Sequence, residues 1–134
     1  MDPVSVDMVD FIDCNLPEIG KKGEVLFIGS DIPARQNIVI SITDTGTEGQ
    51  DSPNISYTRS RFNILVRSRD GWYLRGLKKA EVIKNFLHGV TSVRINSSWY
   101  IQIFQTSGPA FVGMDDSNYN LFSTNFTSLR TAVE

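Results

Sequence analysis

The sequence predicts an α+β domain in which two helices pack on one mostly antiparallel sheet of four to five strands. Two segments carry apolar residues at helical spacing, and five segments have the short, β-branched or alternating pattern of strands. The strands follow one another through turns more often than they alternate with helices, which indicates hairpins. With 134 residues, of which 40% are hydrophobic and 21% charged, the chain has the size and composition of a single domain over residues 1–134.

The first helix is predicted over residues 3–15. Asp2 can accept hydrogen bonds from the free amides of a helix start, and Pro3 already has the backbone angle of a first helical position. Up to Leu16, apolar residues recur at helical spacing, namely Val4, Met8, Phe11 and Ile12. The other faces are expected to carry the aspartates Asp7, Asp10 and Asp13.

Two strands and a long loop are predicted next. The apolar run at residues 24–28 lies between glycines and is too short for a helix, and residues 37–42 are rich in β-branched side chains. Residues 43–54 contain glycine, proline and polar residues only, which predicts a mobile loop. The net charge of this loop is −3, from Asp44, Glu48 and Asp51.

The following strand, predicted over residues 57–67, has one apolar and one basic face. Phe62, Ile64 and Val66 alternate toward one side, which we expect to be the core. The other side carries a row of arginines that continues past the strand end: Arg59, Arg61, Arg67 and Arg69. Such a row can follow the phosphates of a nucleic acid, or it can be solvated or covered by another subunit.

A second helix, predicted over residues 71–88, has a buried apolar stripe and ends at His88. Two further strands follow it. The segment 99–105 is apolar on both faces, which predicts a central strand that ends before Pro109. The polar segment 119–126 predicts an edge strand or a strand covered by another subunit.

Acidic and basic residues are segregated along the chain. Residues 1–58 carry ten acidic and three basic side chains, a net charge of −7, whereas residues 59–94 carry nine basic and two acidic ones, a net charge of +7. Charge separated in this way favours either an anionic partner or self-association in which one face of a subunit meets the opposite face of its neighbour.

Few residues are suited to catalysis or metal binding. The chain has one cysteine, Cys14, and one histidine, His88, so a catalytic triad or a histidine-rich metal site would depend on a single side chain. We interpret His88 as a cation near a helix C terminus, and we expect no enzymatic activity, cofactor or metal. No apolar run approaches roughly 18 residues and the N terminus is acidic, so we also expect neither a membrane span nor a secretory signal.

Short motifs follow one another in a distinctive order. They are Gly29-Ser30-Asp31-Ile32-Pro33 after the first strand, Ile42-Thr43-Asp44-Thr45-Gly46 at the loop, Phe62-Asn63-Ile64-Leu65-Val66-Arg67-Ser68 before the second helix, Ala80-Glu81-Val82-Ile83 within it, and the closing segments Gly108-Pro109-Ala110-Phe111-Val112-Gly113-Met114-Asp115-Asp116 and Phe122-Ser123-Thr124-Asn125-Phe126. In this order, over nearly its full length, the chain resembles the tail terminator proteins of long-tailed bacteriophages, which are also described as phage minor capsid or tail completion proteins.

The resemblance implies a structural virion protein. Such a protein forms a hexameric ring of identical subunits that caps the tail tube, stops its polymerisation and provides the joining surface for head-completion or connector proteins. The resemblance also implies assembly in the bacterial host cytoplasm, a position at the head-proximal end of the tail, and DNA nearby in the lumen without specific binding.

The ring implied by the resemblance gives the charged residues a role. Two unlike charged faces suit a subunit that meets each neighbour through a different surface, so we expect the arginine row and the acids Asp44, Glu48 and Asp51 at subunit or partner interfaces. A nucleic-acid-binding accessory protein that uses the basic strand 59–69 stays open as the alternative.

Overall fold

The structure, a computed structural model, describes residues 2–29, 37–48 and 57–133. These residues form two helices and six strands. In chain order the elements are α1 (Val4–Asn15), β1 (Leu26–Ile28), β2 (Ile38–Glu48), β3 (Thr58–Ser68), α2 (Tyr73–Leu87), β4 (Val90–Ile95), β5 (Ser98–Met114) and β6 (Asn120–Ala132).

The strands form one sheet in the order β1-β2-β3-β6-β5-β4. Every neighbouring pair is antiparallel except β1 and β2, which run parallel. The α+β class and the mostly antiparallel sheet are therefore confirmed, although the described residues hold six strands instead of four to five and the sheet is mixed. Both helices begin and end within two residues of the predicted bounds.

The polar strand near the C terminus is central, so the prediction of an edge strand is wrong. β6 lies between β3 and β5 and pairs with both. Its buried polar side chains form internal hydrogen bonds: Ser128 donates from Oγ to the carbonyl of Ser60 at 3.0 Å, and Asn120 donates from Nδ2 to the carbonyl of Arg69 at 3.2 Å. Because a hydrogen-bonded polar group loses little on burial, a polar strand is stable in the centre of the sheet.

The sequence predicts neither β4 nor the full length of β5. β4 has only six residues, and its short pattern does not stand out from a loop. β5 runs through Pro109 to Met114 instead of ending before the proline. Proline has no amide hydrogen for the sheet, and the register between β5 and β6 accordingly shifts between Ser107 and Ala110. This irregularity lets the strand continue past a residue that usually ends one.

Half of the predicted loop is strand. β2 continues to Glu48 and pairs with β3, with one register shift between Asp44 and Gly46. The loop prediction is therefore wrong for residues 43–48, because the backbone of this polar segment pairs with β3 independently of its side chains. Residues 49–54 lie outside the described residues.

The core lies between the two helices and one face of the sheet. The predicted core face of β3 is confirmed, because Phe62, Ile64 and Val66 are buried. Phe62 lies opposite Phe126 in the β3–β6 pair, and their rings stack with centroids 5.1 Å apart. The helices contribute further buried residues to the same cluster, among them Met8, Ile12, Ile83 and Leu87. The odd-numbered residues of β3 consequently lie on the opposite face of the sheet.

Candidate assembly surface

Arg59 and Arg61 are the exposed members of the predicted arginine row that lie on β3. Both residues are exposed, and both lie on the face of β3 that is turned away from the core. Their Cα partners on the neighbouring strand β6 are Leu129 and Thr127. The strand therefore presents two adjacent positive charges on the outward face of the sheet.

The acidic residues predicted at an interface have separate locations. Glu48 is the Cα partner of Arg59 in the β2–β3 pair, so the sheet brings the backbone of one acidic residue beside the arginine row. Asp44 lies farther along β2, next to α1, whereas Asp51 is not among the described residues. The structure thus brings Glu48 and Arg59 together and places Asp44 elsewhere.

Asp44 caps helix α1. Its Oδ1 accepts a hydrogen bond from the backbone N–H of Ser5 at 3.0 Å, and its Oδ2 accepts one from the hydroxyl of Ser5 at 2.6 Å. The residue that precedes the helix, Pro3, provides no side-chain cap, and neither does Asp2, the cap that the sequence predicts. A carboxylate at a helix N terminus also interacts favourably with the helix dipole. Asp44 therefore has a structural role within the chain.

Arg67 is held inside the chain rather than exposed beside Arg59 and Arg61. Its side chain is only 10% exposed, and its Nε donates a hydrogen bond to Oδ2 of Asp115 at 2.6 Å. The guanidinium carbon lies 3.9 Å from the centroid of the Tyr119 ring, a cation–π contact. These contacts attach Arg67 to the turn between β5 and β6, so on β3 the exposed part of the arginine row ends at Arg61.

Asp115 organises the turn that Arg67 reaches. Its Oδ1 accepts hydrogen bonds from the backbone N–H groups of Ser117 and Tyr119, both at 2.9 Å. Burial by itself would raise the pKa of Asp115, but the hydrogen bonds from Tyr119, Arg67 and Ser117 outweigh it and hold the pKa below its ordinary value. The ionised carboxylate therefore fixes the tip of the β5–β6 hairpin.

Arg69 contributes to a second basic area, at the start of α2. Arg69 and Arg75 are both exposed, and their guanidinium carbons lie 5.4 Å and 4.2 Å from the centroid of the Trp72 ring. The first turn of α2 contains no acidic residue, so this positive charge adds to that of the helix N terminus. An anionic group from a partner would be attracted to this corner.

A buried polar network beneath α1 was not predicted. Asp7 is fully buried, and its Oδ2 accepts hydrogen bonds from the hydroxyl of Tyr100 at 2.6 Å and from Nη1 of Arg130 at 3.1 Å. Asn96 donates from Nδ2 to the other oxygen of Asp7 at 3.0 Å, and Ser60 accepts a hydrogen bond from Nε of Arg130 at 3.2 Å. Because both charged groups have hydrogen-bonding partners, these contacts offset the cost of desolvating the buried charges, and the network joins α1 to the sheet.

Two sequence signals could have located this network. Asp7 stands three residues after Val4 and four before Phe11, so it lies within the apolar stripe of α1 rather than on another face, which corrects the prediction. Arg130 is four residues from the buried residue Phe126 on β6, so both side chains lie on the same face of the strand.

Burial raises the pKa of Tyr100, and its hydrogen bond to Asp7 raises it further. Tyr100 therefore keeps its proton and donates to the carboxylate.

His88 connects the end of α2 to β5. Its Nδ1 accepts a hydrogen bond from the backbone N–H of Gln105 at 3.0 Å, and an acceptor nitrogen carries no proton. This hydrogen bond does not fit the interpretation of His88 as a helix-terminal cation.

In the ranges that the structure describes, no group of three or more His, Cys, Asp or Glu side chains could hold a metal ion. No helix among the described residues has both the length and the apolar character required to cross a membrane.

The comparison with protein families identifies the class of this chain. Residues 15–131 match a family described as bacteriophage tail terminator protein. Since the match covers most of the sequence, the chain belongs to the bacteriophage tail terminator family, and the resemblance seen in the sequence is confirmed. The protein is thus a structural phage tail protein. No curated protein matches the sequence significantly.

A solved structure shares the fold. The chain superposes on a chain from the virion of a native gene transfer agent particle with a TM-score of 0.73. The superposition covers 96% of this chain and 93% of the other, with 9% sequence identity. At this identity the likeness concerns the fold, which is therefore one that a virion component adopts.

Proposed function

We propose that this tail terminator caps the head-proximal end of a phage tail tube as a closed ring of six identical subunits. In that position it stops polymerisation of the tube protein and provides the surface to which head-completion proteins bind. The observation that carries the proposal is the family match over residues 15–131. The shared fold with a chain of a gene transfer agent virion supports a place in the assembled particle.

The subunit has two separate basic areas that can contact a neighbouring subunit or the tube. A ring is built from contacts between two different surfaces of the same chain, so its subunit needs surfaces that differ. Arg59 and Arg61 provide a basic area on the outward sheet face, and Arg69 and Arg75 provide another at the start of α2. We assign Arg59, Arg61 and Arg69, together with the acidic segment containing Glu48 and Asp51, to contacts with a neighbouring subunit or the tube.

Two of the residues predicted at interfaces have other roles in this proposal. Arg67 is bound to Asp115 and stabilises the β5–β6 turn. Asp44 is bound to Ser5 and stabilises α1. Both residues therefore affect assembly only through the fold of the subunit.

The proposal is tested by measuring the mass of the protein in solution and imaging it with tail tubes. Sedimentation velocity over a range of concentrations should show monomers that associate into closed rings, because contacts between exposed charges are individually weak. Negative-stain images should show the rings on one end of each tube, and tubes grown with the protein should stop lengthening. A stable dimer under all conditions, or tubes that lengthen unchanged, would contradict the proposal.

A charge-reversal variant tests whether Arg59 and Arg61 contribute to ring assembly. The variant Arg59→Glu/Arg61→Glu should fold normally by circular dichroism and form fewer rings. Lys78→Glu is the control, because Lys78 is an exposed cation on α2 outside the assigned surface. Binding of duplex DNA that weakens steeply with added salt, without capping of tubes, would favour the nucleic-acid-binding alternative.

A further inference from the structure

The tip of the β5–β6 hairpin and the first turn of α2 expose an apolar surface, here termed the hairpin-tip surface. It consists of Tyr73, Leu74, Phe111, Val112 and Met114, of which Leu74 is 65% and Val112 57% exposed. The rings of Tyr73 and Phe111 are in contact, with centroids 5.2 Å apart. Half of the large hydrophobic residues exposed in the described parts of the chain lie here. An apolar concentration of this kind is typical of a surface that binds another protein.

A groove of about 360 Å³ lies between α1 and the edge strand β4, here termed the α1–β4 groove. Its lining residues are Asp10, Phe11, Cys14, Asn15, Val93, Arg94, Ile95 and Asn96. The apolar members come from both elements and give the groove an apolar floor, with Asp10 and Arg94 as its charged members. A groove of this volume is large enough to admit an apolar side chain from a partner.

The two surfaces lie at opposite ends of the longest strand. The β4 residues of the groove are beside the first residues of β5, because Arg94 and Ile95 pair with Trp99 and Ser98. The hairpin tip lies at the last residues of this 17-residue strand. At about 3.3 Å per residue the separation along the strand is roughly 40 Å, so a subunit does not fill its own groove. A tip-to-groove contact between two copies leaves one free tip and one free groove, as a ring requires.

The charges at the two surfaces are complementary. Arg94 is exposed at the groove, where its Nε donates to the carbonyl of Asn96 at 3.2 Å. Asp116 is exposed in the turn at the hairpin tip. Within the described ranges, neither Arg94 nor Asp116 forms an ion pair. A second copy that places its hairpin tip at the groove therefore brings an unpaired carboxylate toward an unpaired guanidinium.

The groove suits side chains better than an added strand. β4 is at the edge of the sheet, a position to which a partner strand can pair. Ser92 in the middle of β4 has a φ of 54°, in the left-handed region, and it has no Cα partner on β5, although the register is the same on both sides of it. Such an irregularity prevents regular pairing along an edge.

We propose that the hairpin-tip surface of one subunit docks into the α1–β4 groove of the next subunit, with Asp116 facing Arg94. The partner is a second copy of this chain, because both halves of the contact are present on one subunit at positions that cannot meet within it. This inference rests on the proposed function for the existence of a ring, and it adds which surfaces join.

The single cysteine of the chain makes the docking measurable. Cys14 is exposed and lines the groove, so the variant Val112→Cys places a second thiol on the surface proposed to occupy it. A short bismaleimide cross-linker should then join successive subunits into a ladder on a denaturing gel, ending at the size of the closed ring. The variant Asn85→Cys, with its thiol on an exposed position of α2, should give no ladder beyond that of the unmodified protein.

Two further cross-linking samples, one variant alone and one mixture, define the direction of the contact. The variant Cys14→Ser/Val112→Cys alone should lose the ladder, and when mixed with unmodified protein it should give cross-linked dimers only. A ladder from Asn85→Cys as strong as that from Val112→Cys would overturn the docking. Rings on tube ends without the Val112→Cys ladder would overturn the docking and leave the proposed function intact. A ladder without any capping of tubes would support the docking and contradict the proposed function.

A charge exchange tests the facing residues independently of cross-linking. Arg94→Glu and Asp116→Arg should each weaken self-association by about twofold to fivefold, the size expected of an exposed ion pair. The double variant should restore the association of the unmodified protein. If the two single effects simply add in the double variant, Asp116 does not face Arg94 and the proposed orientation is wrong.

Discussion

Arg67 and Asp115 are 48 residues apart in sequence, and a hydrogen bond of 2.6 Å from Nε to Oδ2 joins them. Arg67 lies on β3, whereas Asp115 lies in the turn between β5 and β6, and β6 separates the two strands in the sheet. The Arg67 side chain therefore reaches past the end of β6 and fixes the hairpin tip to the sheet. The same arginine stacks on Tyr119, so the turn is held by one ion pair and one cation–π contact.

Replacement of Arg67 by alanine should destabilise the subunit. A hydrogen bond to a charged group contributes about 1.5–3 kcal/mol, so we expect Arg67→Ala to lower the free energy of unfolding by an amount in that range. Lys78→Ala removes an exposed cation and should change it by less than about 0.5 kcal/mol. Urea unfolding monitored by circular dichroism compares the two variants. Equal stability of both would show that the Arg67–Asp115 contact does not hold the turn.

Stability should fall in acid partly through Asp115. Its pKa is lower in the folded protein than the ordinary value of 3.8, so its contribution is present in full above that value and is lost as the pH falls through the folded pKa. The difference in unfolding free energy between the unmodified protein and Asp115→Asn should therefore be full near neutral pH and shrink as the pH is lowered below 3.8, as measured by urea unfolding. A difference that does not depend on pH would exclude this carboxylate as the titrating group.

The sequence predicted the class of the fold because its strongest patterns are local. Both helices depend on apolar residues at helical spacing, and the core face of β3 depends on simple alternation, as for Phe62 and Ile64. The polar side chains of β6 predict an edge strand, but β6 is central. The prediction fails because Ser128 and Asn120 form hydrogen bonds inside the sheet, so their polarity does not require contact with water. The sequence predicts a loop at residues 43–48 for the same reason, although backbone pairing with β3 does not depend on side-chain polarity.

Sequence patterns predict the contacts of the interface residues poorly for a similar reason. Alternation places Arg67 on the same side of β3 as Arg61, but it carries no information about Asp115, which comes from a distant turn. The cap of α1 is Asp44, which is 39 residues from Ser5, rather than the adjacent Asp2. Contacts between residues so far apart in sequence follow from the strand order, which a single sequence does not determine.

The cap provided by Asp44 should be measurable at the start of α1. Asp44→Ala leaves the N–H and hydroxyl of Ser5 without their acceptor, and loss of an N-terminal cap costs about 1 kcal/mol. Asp2→Ala is the matched control, since the Asp2 side chain makes no capping hydrogen bond. Hydrogen exchange should accelerate in the first turn of α1 in Asp44→Ala only. Faster hydrogen exchange in Asp2→Ala instead would mean that Asp2 caps α1, as the sequence predicts.

The buried pair of Asp7 and Arg130 should dominate the stability of the contact between α1 and the sheet. Arg130→Met keeps most of the side-chain volume but leaves the buried carboxylate of Asp7 without its cation, and removal of one partner of a buried pair costs about 3–5 kcal/mol. Tyr100 and Asn96 still donate to Asp7, so we expect the lower end of this range.

A double-mutant cycle separates the pair from general damage to the core. Asp7→Asn/Arg130→Met removes both charges, so its loss of unfolding free energy should be smaller than the sum of the two single losses by about 1–3 kcal/mol. Arg94→Met, at an exposed arginine, should change stability by less than about 0.5 kcal/mol. Urea unfolding of the four proteins of the cycle gives the coupling directly. Additive losses would mean that Asp7 and Arg130 stabilise the subunit separately, through their other hydrogen bonds.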